Sequence, residues 1–175
     1  RMCNLPEVEG YSSWQCRVYR HWPRAAYYLF NYMATIEQTH LGMCGENGER
    51  CLVSALAPWQ EMQESAEKYY DRSADCTFTT FVGYEWTAMD GRSGGNLHRN
   101  VILRDSGDRA RQVQPLTTQP PYGSTDPLDL YEWLENYEQK TGGQAFAIAH
   151  NGNLSNGWMF PTSKTYHKGK VNKDY

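Results

Sequence analysis

What the chain lacks narrows it first. No apolar run approaches the eighteen residues that a membrane-crossing helix needs. Lysine and arginine form no block, and the formal charge is −3, so an electrostatic nucleic-acid binder is not expected. No Cys-x-x-Cys pair occurs. No secretory leader is visible, but Arg1 is not a start methionine and the last residues trail off in a polar tail. Both ends read as cuts in a longer protein, which leaves the missing leader little weight. Apolar residues make up only 39% of the chain, and the 14% aromatic content compensates, because each aromatic ring buries a large area. With 175 residues there is enough chain for one domain with a real core.

The cysteines are five: Cys3, Cys16, Cys44, Cys51 and Cys76. An odd count leaves at least one free or paired outside the segment. Cys44 and Cys51 close a polar loop. A disulfide there would contribute on the usual scale of about 2–4 kcal/mol. Zinc competes as a reading, but no histidine stands at ligand spacing inside that loop. A disulfide involving Cys44 or Cys51 favours a periplasmic or secreted protein.

In chain order, residues 1–23 read as loop, broken by glycine, serine and proline. Arg17, Arg20 and His21 read as solvated surface. Residues 24–39 carry Ala25, Leu29, Tyr32, Met33 and Ile36 at helical spacing, with Pro23 at the start. Tyr27, Tyr28 and Phe30 widen that stripe, as on a helix that is buried on more than one side or that covers surface in the missing part of the protein. A second helix is expected over 58–70, with Trp59, Met62, Ala66 and Tyr69 on one face and Glu61, Glu64 and Lys68 on the other. Residues 1–76 thus form a helical, loop-rich insertion or cover region, distinct from residues 77–175.

The second unit opens with an aromatic and β-branched strand over 78–86 that carries Glu85 near its end. A glycine-rich loop leads to His98 and a return strand over 97–104. A polar loop over 109–125, stiffened by Pro115, Pro120 and Pro121, is long enough to line a site. Asp126 caps a third helix, with Pro127 in its first turn, Asp129 approximating a capping box, and Gly142-Gly143 ending it. The strand 145–149 follows at once. Helix, tight turn and strand read as an α/β unit of a mostly parallel sheet. Its end delivers His150 and Asn151, where such folds keep their sites.

Glu85, His98 and His150 form the candidate site. A carboxylate and two neutral imidazoles suit a divalent metal, which would activate a water. Asn151, Asn153, Ser155 and Arg99 would orient ligands or substrate. Asp90 is near in sequence, and His21, His40 and His167 have weaker claims. The structural alternative pairs Glu85 with Arg99 or Arg104 and satisfies the histidines with backbone bonds.

Three motifs carry a resemblance. Phe81-Val82-Gly83-Tyr84-Glu85-Trp86, Asn96-Leu97-His98-Arg99-Asn100-Val101-Ile102, and Ile148-Ala149-His150-Asn151-Gly152-Asn153-Leu154-Ser155-Asn156-Gly157 together resemble the DUF3604 family, over about residues 44–160. Members of that family look like PHP-type (polymerase and histidinol phosphatase) phosphoesterases. The resemblance implies the central part of a distorted (β/α)7 PHP-like barrel. It implies Glu85 as a bridging ligand, His98 and His150 as further ligands, and two or three zinc, manganese or iron ions in the complete protein. The implied activity is hydrolysis of a small-molecule ester, phosphoester-like, by metal-activated water. The His-x-His, Asp-His and Asp-x-His motifs of PHP proteins are absent, so the implied partner is the missing part of the chain's own barrel. The isolated segment is then expected to bind metal weakly and to be inactive. Outside the hydrolase class, Trp14, Trp22 and Trp158 suggest a glycan- or peptide-binding module, and an inactive structural fragment is the third reading.

Overall fold

The computed structural model describes residues 2–33, 37, 39–89, 94–150, 152 and 154–160. Its elements are α1 (Trp14–His21), α2 (Pro23–Asn31), α3 (Glu49–Tyr69), β1 (Val82–Trp86), β2 (Arg99–Leu103), α4 (Gly107–Ala110), α5 (Pro127–Thr141) and β3 (Ala145–Ala149). A single 3₁₀ turn, Gly42–Cys44, precedes α3.

The local signals explain several of these. The Ser13 side chain accepts a hydrogen bond from the Cys16 N–H and starts α1, a helix inside the stretch expected to be loop. Asp126 accepts from the Leu128 N–H, Pro127 occupies the first turn, and left-handed Gly142 ends α5. Around Asp129 the helix start is built through Ser124. The Asp129 carboxylate accepts from the Ser124 hydroxyl, and that hydroxyl accepts from the Asp126 N–H. Helix α3 begins nine residues before the expected start and carries Pro58 in its interior. Tyr27, Tyr28 and Tyr32 are exposed, so α2 is not buried on several sides.

The three strands lie in the order β1–β2–β3, and both pairings are antiparallel. Alternation then assigns each residue a face. Val82, Tyr84, Trp86, Arg99, Val101, Leu103, Ala145 and Ala147 turn to one side. There Trp59, Met62 and Ala66 of α3 and Leu130, Leu134 and Tyr137 of α5 complete the main core. Gly83, Glu85, Asn100, Ile102, Phe146 and Ile148 take the other side, which is largely open: Asn100 is exposed, and Phe146 and Ile148 are about half exposed.

This overturns the barrel. The described residues form one open three-stranded antiparallel sheet with five α-helices, not the central part of a distorted (β/α)7 PHP-like barrel of mostly parallel strands. The reason lies in who carries the chain back. In a parallel unit the helix makes the return. Here residues 113–125 make it, passing beside β1, where the Leu116 N–H donates to the Tyr84 hydroxyl. Helix α5 therefore runs in the same direction as β2, and β3 must run against it. Asp105, just past β2, accordingly meets the Gln144 N–H, just before β3.

Candidate active site

Register brings the three predicted side chains together. Glu85 stands opposite Asn100 on the open face. One row further, past the Arg99–Ala149 pair, come His98 and His150 on the same face. Glu85 Oε1 lies 3.7 Å from His98 Nδ1 and 3.6 Å from His150 Nε2. The two imidazole rings are parallel within 5°, with centroids 5.9 Å apart. The Thr87 hydroxyl donates to the same Glu85 oxygen at 3.2 Å.

The two imidazoles are not equivalent. The His98 side chain is 15% exposed and its Nδ1 is buried with no hydrogen-bond partner. Burial, with a smaller push from His150, holds the His98 pKa below its ordinary value, against the pull of Glu85. His98 is therefore neutral near pH 7, with a ring nitrogen aimed at a carboxylate too far away to bond it. Glu85 is 47% exposed, so its attraction to a charged histidine would be screened. A cleft of about 170 Å³ opens beside Glu85, between residues 84–87 and residues 115–118 of the long loop.

The other predicted participants fare differently. Arg99 faces the opposite side and is fully buried, donating to the Tyr131 hydroxyl and the Leu97 carbonyl and lying 4.0 Å from the Met159 sulfur. Ser155 is buried, and its hydroxyl donates to the Gly152 carbonyl at 2.8 Å, which makes it part of a turn. Asp90, Asn151, Asn153 and His167 lie outside the described residues. His40 lines a separate cavity with Cys44, Cys51 and Tyr122. Trp14 and Trp22 are exposed at the start and just past the end of α1, whereas Trp158 is partly buried against the main core. The cleft contribution of Leu116, Thr117 and Thr118 was missed in the sequence. Only the length of that loop signalled it.

Donor chemistry and donor placement give different answers about metal. Two donors on a tetrahedral ion at about 2.0–2.1 Å stand roughly 3.3–3.4 Å from each other. The two separations from Glu85 are a few tenths of an ångström longer. Among the described residues, no group of three or more His, Cys, Asp or Glu is placed to hold a metal ion. The PHP-type identification is thereby corrected: neither its barrel nor its metal cluster is present in the described residues. The labels hydrolase, metal-binding and phosphoesterase lose the fold that had carried them, and phosphate loses its warrant as the substrate group.

Cysteine pairing is settled by two disulfides, Cys3–Cys16 and Cys44–Cys51, with Cys76 free and exposed. No helix among the described residues is long and apolar enough to cross a membrane. A family model described as "Protein of unknown function (DUF3604)" matches residues 10–175. No curated protein and no solved structure matches the chain.

Proposed function

The chain belongs to the DUF3604 family, and we propose that within it the open face of the sheet is part of a hydrolytic site that attacks a small-molecule ester with an activated water. One observation carries the reading: a single carboxylate oxygen faces two imidazole nitrogens at 3.6 and 3.7 Å, one of them buried and unbonded. A structural carboxylate–histidine pair would close to hydrogen-bond distance. These side chains instead leave room for a third group.

In this reading His150, the more exposed imidazole, exchanges protons with the water or the leaving group. Glu85, 3.6 Å from that imidazole's Nε2, faces the same third group and helps to position it. His98 stays neutral and accepts through Nδ1. Loop residues 115–118 wall the cleft and position the substrate beside Glu85. A divalent ion, when bound, would lower the pKa of a water and polarise the ester oxygen. That part of the proposal rests on donor type, one carboxylate and two imidazoles, and not on a ready-made cluster. We also infer from the two disulfides an oxidising location, periplasmic or secreted.

The test is a panel of chromogenic carboxylic and phosphate esters, assayed on the full-length protein after chelation and after return of zinc or manganese. Glu85→Gln and His150→Gln keep shape at two partly exposed positions, so folding should survive. The expected result is hydrolysis of at least one ester class, with each variant slower by about 10²-fold or more. Hydrolysis unchanged in both variants, or none on any ester under either condition, would overturn the proposal.

A further inference from the structure

We propose that the outer edge of β3, with the groove between it and α5, receives an extended, lysine- or arginine-bearing segment of a partner polypeptide as a fourth strand.

Hydrogen-bond parity shows the edge is available. The Arg104 N–H donates to the Gln144 carbonyl at 3.0 Å. In an antiparallel ladder, bonded and non-bonded pairs alternate. Ile102–Phe146 and Asn100–Ile148 are therefore the bonded pairs, and Ala145, Ala147 and Ala149 direct N–H and C=O away from β2. The Ala145 N–H confirms the direction by donating to Glu138 Oε1 at 2.9 Å, outside the sheet. Among the described residues, β3 is the last strand in the sheet.

Among the described residues, Glu138 takes the Ala145 N–H, and the outward groups of Ala147 and Ala149 are the ones left to pair. The strand reads Ala-Phe-Ala-Ile-Ala, without the proline, lysine or inward charge that protects exposed edges. The neighbouring groove, about 770 Å³, has Leu128, Tyr131 and Leu134 of α5 on its wall. Alternating side chains of an added strand would rest there.

Charge selects the occupant. Glu132, Glu135 and Glu138 recur every three residues along the groove side of α5, and all three are exposed. Lys140 of the same helix is turned to the Gln112 carbonyl instead. A second copy pairing edge to edge would bring two such acidic rims together, which is unfavourable. A basic strand would meet its complement.

The experiment is amide hydrogen exchange with NMR titration of the full-length protein, using two probes: a peptide of alternating lysine and valine, and one of alternating glutamate and valine. The expected result is slowed exchange at the Ala147 amide with the lysine peptide only. Glu132→Lys/Glu135→Lys, which leaves Glu138 on Ala145, should weaken that binding about tenfold and admit the glutamate peptide. Equal binding of both peptides, or no slowing at Ala147, would sink the proposal. Slow Ala147 exchange before any peptide is added would also overturn it, assigning the edge to the protein itself or, if the protein is dimeric, to a second copy.

Discussion

At the scale of single residues, several hydrogen bonds to one carboxylate can fix its charge even near the surface. Asp71 shows this away from the candidate site. Its carboxylate accepts from the Ser73 N–H at 2.9 Å, the Thr77 N–H at 2.8 Å and the Thr77 hydroxyl at 2.6 Å. Those bonds, from Ser73 first and then Thr77, hold its pKa well below the usual carboxylate range. A lowered folded-state pKa stabilises above the unfolded value, about 3.9, and the contribution is lost as pH falls below it. Asp71→Asn should therefore lower the urea midpoint at pH 6, and the gap to wild type should narrow below pH 4. A gap that persists unchanged to pH 2.5 would mean that the charge is not what matters. Glu85, His98 and His150 were legible because each sits in a dense local motif whose strand register is simple. Arg99 was less so: strand alternation sends it to the face opposite its neighbour His98, into the core beside Trp86 and Tyr131.

At the scale of elements, helix α5 and strand β3 could be read almost to the residue, because cap, proline and glycine signals mark their ends. Their direction in the sheet could not. It is decided by residues 113–125, a stretch with no hydrophobic period to betray its path. The structure secures that path at Asp105, where β2, α4, α5 and β3 meet. Its side chain, 9% exposed, accepts from the Gln144 N–H, the Tyr137 hydroxyl at 3.4 Å and Arg109 Nη1 at 3.1 Å. Of these donors the Tyr137 hydroxyl belongs to a buried residue, whereas Gln144 is exposed and the Arg109 side chain is 41% exposed, so water can replace part of what Asp105 supplies. Asp105→Ala should cost about 1–3 kcal/mol in urea unfolding, chiefly at the buried Tyr137 hydroxyl, while Asp105→Asn, which keeps an acceptor oxygen, should recover part of it. Equal loss in both variants would assign the effect to charge instead of acceptance.

At the scale of the whole molecule, no local motif could reveal that the sheet of the described residues is open. Closure depends on which strands find neighbours, and three correct motifs fit a barrel or an open sheet equally well. The cysteines divide the chain more plainly. Both disulfides lie before residue 52, while the main core, from Trp59 to Tyr137, contains no cysteine. A separate small cluster of Met2, Cys3 and Cys16 packs with Val8, Met43 and Cys51. Helix α3 joins the two, with Cys51 in its first turn and Trp59, Met62 and Ala66 in the main core. Losing the Cys3–Cys16 link, which closes a 13-residue separation, should cost about 3 kcal/mol through the freed chain. That loss should stay local. After reduction and alkylation, amides of α1 should exchange quickly, while those of β2 and α5 keep their protection. Before reduction, a maleimide should label one thiol among these five cysteines, the exposed Cys76. If β2 and α5 lose protection in step with α1, the two clusters form one cooperative unit, and the disulfides then support the sheet that carries Glu85, His98 and His150.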